Sequence, residues 1–521
     1  MPQSWIESLL LPSAHPLQRQ TPKPLADDAP RALVIGAGFG GLAAAIRLGA
    51  RGYRVTVVDR LDQAGGRARV HRIDGYVFDA GPTVVTAPFL FEELWALCGK
   101  RMQDDIDMRP VDPFYEIRFD DGTSFNYTGS AESMRREVAR FSPSDVEGYE
   151  KFVQQSEKIF EIGFERLAHV AFKSPLDMAR IVPSMVRLES YRSVYSLVCK
   201  YVKHPKLRQV LSFHPLLVGG NPLQTTSIYT LIAYLERKWG VHFPMGGTGS
   251  LVQGLVKLIE GLGGSVRLNA EVEEILVHKG RAAGIRLASG ETLPADIVVS
   301  NADSAWTYRK LVPKEARKRW TDRRVEKARY SMSLFVWYFG TKRKYDNVKH
   351  HTILLGPRYE ELLRDIFQRK ILAEDFSLYL HRPTATDPSM APAGCDAFYV
   401  LSPVPHLESG VDWSRVAESY RRAIAAYLER TLMPGLEENL SVSELLTPQG
   451  FAEDYLSFRG AAFGMEPVLQ QSAYFRPHNV SEDVEGLYLV GAGTHPGAGM
   501  PGVLSSARVL DHVVPDAAAL R

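Results

Sequence analysis

Short apolar runs bounded by glycine alternate with runs at helical spacing near both ends of the chain. Ala32-Leu33-Val34-Ile35 reads as a buried strand, Leu42–Gly49 as a helix and Arg54–Val58 as a second strand. Towards the other end, Gly486–Val490 reads as a strand feeding a helix over Val503–Val513. In between, residues 106–128 pattern as short strands around the turn Asp120-Asp121-Gly122-Thr123. Residues 142–238 pattern mostly as helix, with Ser142-Pro143-Ser144-Asp145 as a start signal and Pro175, Pro183, Pro205, Pro215 and Pro222 as punctuation. A helix over Ser250–Leu262 follows, then a hairpin over Val266–Val277 and Ala283–Ala288 and the buried strand Ile297-Val298-Val299. Residues 331–339 are apolar on both strand faces, which predicts a strand covered on both sides. Phe376–Leu380 would join it in one sheet.

Composition narrows the class. The chain has 521 residues, 45% apolar and 23% charged, long enough for about three structural units around an internal ligand. Its formal charge of +2 argues against nucleic-acid binding as the main task. Cys98, Cys199 and Cys395 lie far apart, without disulfide-framework or zinc spacing, so no metal site is expected. Residues 1–30, broken by Pro2, Pro12, Pro16, Pro22, Pro24 and Pro30, read as a flexible extension, with Trp5, Ile6, Leu9 and Leu10 as one amphipathic turn. No apolar run reaches the roughly 18–20 residues of a membrane span. Residues 309–329 hold ten Lys/Arg and three acids. That run reads either as a solvated face or as a contact for anionic lipid headgroups.

The chemistry gathers at the two glycine-rich strand-to-helix junctions. Gly36, Gly38 and Gly41 occupy GxGxxG positions: a tight turn, close approach to a pyrophosphate, and close helix packing. Asp59 ends the next strand and is placed to accept from ribose hydroxyls. Nicotinamide enzymes usually continue into another helix–strand unit. Here Gly65-Gly66-Arg67-Ala68-Arg69 follows instead, offering backbone donors and a guanidinium to the pyrophosphate of FAD. The second junction, Gly491-Ala492-Gly493-Thr494-His495, would close the flavin end, with His495 as a structural hydrogen bonder.

These segments, together with Phe78-Asp79-Ala80-Gly81-Pro82, Leu217–Pro222, Trp239–Gly249, Ser377–His381 and Pro403–His406, resemble the bacterial-type phytoene desaturase family of flavoproteins, within the group that includes monoamine oxidases. The likeness runs from about residue 32 to 510. Two departures stand out: Asp59, where the family more often has glutamate, and Met245, where relatives can carry arginine.

The resemblance implies an α/β fold: a discontinuous Rossmann-like FAD-binding domain of the glutathione-reductase type (31–105, 240–305 and 478–521), a β-sheet substrate domain (106–141 and 306–477) and a helical cap (142–239) that meets the membrane. It implies stepwise desaturation of phytoene, a long apolar polyene, towards neurosporene or lycopene, with quinone or oxygen as electron acceptor. Such a protein would be cytoplasmic and peripheral to an anionic membrane surface. FAD is expected on Gly36, Gly38, Gly41, Asp59, Gly66, Arg67, Gly491, Gly493 and Thr494, and by resemblance on Val272. For proton handling, Asp177 and Arg180 form an i,i+3 pair in the otherwise apolar stretch Leu176–Val186; the competing reading is the wet face of an amphipathic helix. His214 and Glu236 are further candidates. Alternative activities are desaturation or saturation of another polyene such as retinol, non-enzymatic isoprenoid binding on the same fold, and amine oxidation.

Overall fold

The computed structural model describes residues 19–520. The turn expected from Trp5 to Leu10 lies outside the described residues. The described part of the extension is tied down rather than loose: Gln20 N–H donates to the Ala96 carbonyl and Lys23 N–H to that of Ala50, each at 2.9 Å.

A five-stranded parallel sheet is assembled from distant parts of the chain, in the order Leu487–Leu489, Ile297–Ser300, Arg31–Ile35, Arg54–Val58, Ser265–Arg267. Val266 therefore belongs to this sheet's edge. The expected hairpin is shorter, Val272–His278 with Arg281–Leu287, and Thr292–Pro294 adds a third strand. The helix Phe39–Ala50 rises from the central strand, rich in alanine and buried over nearly its whole length. It packs against the helices Thr248–Gly261 and Met500–Val513. Its one internal cation, Arg47, is compensated by Glu93 at 3.1 Å and Asp511 at 2.5 Å. Removing one partner of such a buried set costs about 3–5 kcal/mol.

A seven-stranded sheet forms the second layer, including Tyr115–Phe119, Ser333–Thr341, His351–Leu355, Leu378–His381 and Asp396–Val404. Ser333–Thr341 is buried throughout, as its two-sided apolar pattern requires. Phe335, Trp337 and Phe339 pack with residues of the helix Trp413–Thr431, while Leu334, Val336 and Tyr338 face the opposite core. Over that second face pack the helices Val146–Phe160 and Pro205–Ser212, while Pro175–Arg187 and Leu231–Trp239 line a cavity beside it. The Ser142-Pro143-Ser144-Asp145 signal opens only a short 3₁₀ turn before Val146. The Asp145 carboxylate accepts instead from the Lys203 and His204 N–H groups, at 3.0 and 2.8 Å.

Candidate active site

One cavity of about 570 Å³ runs from the glycine junctions of the parallel sheet to the face of the seven-stranded sheet. At the parallel-sheet end, Gly36 takes φ +95°, a region L side chains rarely adopt. A Cβ on Gly41 would lie 2.0 Å from the Gly36 carbonyl oxygen, so close helix packing requires glycine there. Asp59 accepts from the Ala37 N–H at 2.6 Å and the Leu61 N–H at 2.9 Å. Burial nevertheless holds its carboxyl above the usual range. Gly65 N–H donates to the Ala37 carbonyl at 2.8 Å, fastening the second glycine pair beside the first loop.

Arg67 is the decisive side chain. Its guanidinium donates to Ser457 Oγ at 2.7 Å, makes no ion pair among the described residues, and leaves Nε unpartnered. Burial lowers its pKa, which means that its charge lacks full compensation. A cation of this kind beside a glycine cradle fits a diphosphate, which supplies charge and acceptors together. Gly36, Gly38, Asp59, Gly66, Arg67, Val272 and Gly491 all line the cavity.

Three other expected cofactor residues do not. Gly41 acts through packing, and Gly493 lies against Ser304. Thr494 is fully buried and its hydroxyl donates to the Pro477 carbonyl at 2.6 Å. Met245 also lies outside the wall, so its departure from the family pattern does not touch the site. His495 is held by the Leu167 carbonyl at 2.9 Å, and burial drops its pKa to about 4, consistent with a structural role.

The pair Asp177 and Arg180 lies at the start of the helix Pro175–Arg187. Ser174 and Asp177 form a reciprocal cap on the helix Pro175–Arg187: the Asp177 carboxylate accepts from the Ser174 N–H at 2.8 Å and the Lys173 N–H at 3.0 Å. Arg180 is exposed, 3.6 Å from that carboxylate, and neither residue lines the cavity. Met178, Ile181 and Met185 of the same helix do. Glu236 is the acid brought to the wall: fully buried, it accepts from Tyr115 Oη at 2.7 Å and lies 3.1 Å from His214 Nε2.

Asp79 and the Asn301–Asp303 turn were not legible as site residues. Asp79 Oδ1 accepts from both the N–H and the hydroxyl of Thr248, each at 2.9 Å, fixing the start of the helix Thr248–Gly261. Burial pushes its pKa up to about 6. Asn301 packs on the first glycine loop and Asp303 lies near Arg67 in the cavity wall. The basic run 309–329 is consumed in part within the fold: Arg309 pairs with Glu326, Arg317 with Asp322, Arg319 with Glu482 and Arg329 with Glu466, while Lys310, Lys314, Lys318, Arg323 and Lys327 stay exposed.

A two-junction cradle on a parallel sheet, opening into an apolar cavity under a second sheet, defines a flavin-dependent oxidoreductase. The chain belongs to the flavin containing amine oxidoreductase family, whose model matches residues 39–509. Within it, the chain is 52% identical to the neurosporene-forming phytoene desaturase of Cereibacter sphaeroides, over 94% of this chain and 96% of that protein. It is 48% identical to the lycopene-forming phytoene desaturase of Pseudescherichia vulneris, over 92% and 97%. An oxidoreductase structure from Methanosarcina mazei shares the fold, with a TM-score of 0.63 and 18% identity over 92% of this chain and all of that one. The cofactor is FAD, and the incompletely compensated Arg67 beside the cradle fits it.

Proposed function

We propose that this protein desaturates phytoene stepwise to a more conjugated carotene. The observation that carries the reading is the continuity of one apolar cavity from the cofactor cradle to the seven-stranded sheet, together with the two desaturase relatives. Bound FAD supplies the acceptor for a hydride equivalent. The residues of this chain supply shape, dryness and electrostatics. Phytoene has no polar handle, so Met332, Leu334, Val336, Ile353 and Leu401 must grip it by contact alone. Hydride loss next to a double bond leaves positive charge on the polyene. Glu236, held by Tyr115 and His214, places a carboxyl group in the cavity wall to face that charge.

The substrate resides in a bilayer, and the helix Pro175–Arg187 is built to meet one. Its inner face lines the cavity with Met178, Ile181 and Met185. Its outer face exposes Leu176 (57%), Val182 (46%) and Val186 (59%), with Tyr191 (62%) beyond its end. Lys173, Arg180 and Arg187 lie at the same surface, each worth about 1 kcal/mol against anionic lipid. We assign the contact with the cytoplasmic membrane to this helix. Among the described residues no helix is long and apolar enough to cross a membrane.

The test is incubation of the FAD-loaded protein with phytoene liposomes and a quinone, under nitrogen and in air, followed by pigment analysis. Conjugated carotenes are expected, their double-bond count giving the number of steps and the two atmospheres separating quinone from oxygen as acceptor. Recovery of unchanged phytoene with an unbleached flavin refutes the reading.

A further inference from the structure

Desaturation releases a proton into a largely apolar cavity, and that proton needs a way out. On the cavity face of the seven-stranded sheet, the strand register places His351 opposite His381, His381 opposite Tyr399, and Tyr399 opposite Tyr338. One row of polar rings thus crosses four strands within an apolar core. Beside it, Tyr379 lines the cavity, and its hydroxyl lies 2.7 Å from His351 Nδ1 and 3.1 Å from the Thr83 hydroxyl.

His350, next in the chain to His351, places its Nδ1 2.6 Å from the hydroxyl of Thr386. Both residues line a second cavity of about 430 Å³, whose wall also includes the exposed Lys344, Asp346 and Lys349. Between the two ends, His351 Nε2, His350 Nε2 and both nitrogens of His381 are buried with no hydrogen-bond partner. The three rings each bring a nitrogen within 4.8 Å of the others, a gap one shared water spans.

We infer, resting on the desaturase reading above, that Tyr379, His351, His381 and His350 form a proton exit from the reaction cavity to the surface at Thr386. The second C–H bond of the substrate breaks, and its electron pair becomes the new C=C bond. The proton goes to the Tyr379 oxygen as the tyrosine's own proton moves to His351 Nδ1. The Nε2 proton of His351 passes, through a bridging water or His381, to His350 Nε2, and the Nδ1 proton of His350 leaves by way of Thr386. Every group ends neutral, and the unpartnered Nε2 atoms of His351 and His350 are the ones this transfer joins.

The surroundings favour conduction over trapping. Burial drives all three imidazoles below their ordinary pKa, so each stays neutral, with one donor and one acceptor nitrogen. Arg382 further opposes positive charge on His350. Three imidazole nitrogens this close together are also a ligand set for a divalent cation, so metal content is one arm of the test.

The test compares wild type with His351→Gln, which keeps a polar side chain of similar size but cannot pass a proton between two nitrogens. Anaerobic bleaching of the flavin by phytoene liposomes gives the rate, steady-state assays give KM and kcat, and D2O gives the solvent isotope effect. FAD content and KM should stay within about twofold of wild type, while kcat falls at least tenfold and its solvent isotope effect rises. If His351→Gln does not load FAD, Tyr379→Phe interrupts the same path with its ring in place and should show the same split. A variant as fast as a bleaching wild type overturns the exit alone. One tightly bound metal ion per wild-type chain, lost in His351→Gln, also overturns it. A wild type that phytoene does not bleach refutes the function, and the exit with it.

Discussion

Replacing Arg67 with methionine separates cofactor binding from folding. The substitution keeps the unbranched stem and removes a guanidinium that has a serine hydroxyl for company and no acid in ion-pair contact. In the protein without cofactor, the loss is about 1 kcal/mol for the Ser457 hydrogen bond, offset by no longer holding a poorly compensated charge in a buried place. Stability without FAD should therefore change by less than about 1 kcal/mol. With FAD, the variant loses a charge-assisted contact worth about 1.5–3 kcal/mol, so Kd should weaken some ten- to a hundred-and-fiftyfold. The two effects are read together by chemical denaturation with and without FAD. At FAD one hundred times the wild-type Kd, the wild type gains about 2.7 kcal/mol; a variant binding a hundredfold more weakly gains only about 0.4 kcal/mol. An unchanged FAD increment would remove Arg67 from the pyrophosphate site. A fall of more than about 2 kcal/mol without cofactor would make it a structural residue instead.

Asp177→Asn should leave turnover at the wild-type level while costing the helix Pro175–Arg187 about 1 kcal/mol, read as faster amide exchange there. A large drop in kcat would restore Asp177 to the chemistry. Glu236→Gln should lower kcat at least tenfold with FAD still bound; full activity would exclude its charge from the reaction. Leu176→Ser with Val186→Ser should weaken binding to anionic liposomes by about 2 kcal/mol, some thirtyfold, in a flotation assay, and unchanged flotation would move the membrane contact elsewhere. Asp79 titrates near 6 in the fold against 3.8 for the ordinary carboxyl, so the folded state holds its proton more tightly and this group's contribution to stability falls as pH rises from about 4 to 6. Relative to wild type, Asp79→Asn should therefore gain up to about 3 kcal/mol between pH 4 and pH 7 in urea titrations; a flat difference refutes the buried-carboxyl account.

The cofactor and the parallel sheet that carries it are legible in the order of residues alone. Gly36, Gly41, Asp59 and Arg67 are local to one strand–helix–strand unit and the turn after it, and their roles depend on backbone conformations that spacing and residue type already dictate. The two-sided strand at Ser333–Thr341 is equally plain, because burial on both faces leaves no polar alternation. The rest turns on which distant residues meet, and that is settled in three dimensions. Asp177 and Glu236 are both acids in helical surroundings, but Asp177 closes its own helix cap while Tyr115 and His214 draw Glu236 to the cavity wall. The basic run 309–329 has the composition of a lipid-binding surface, yet acids far along the chain, such as Glu466 and Glu482, neutralise part of it. The row of His351, His381 and Tyr399 exists only through strand register, where a slip of one residue would turn each ring to the other face of the sheet.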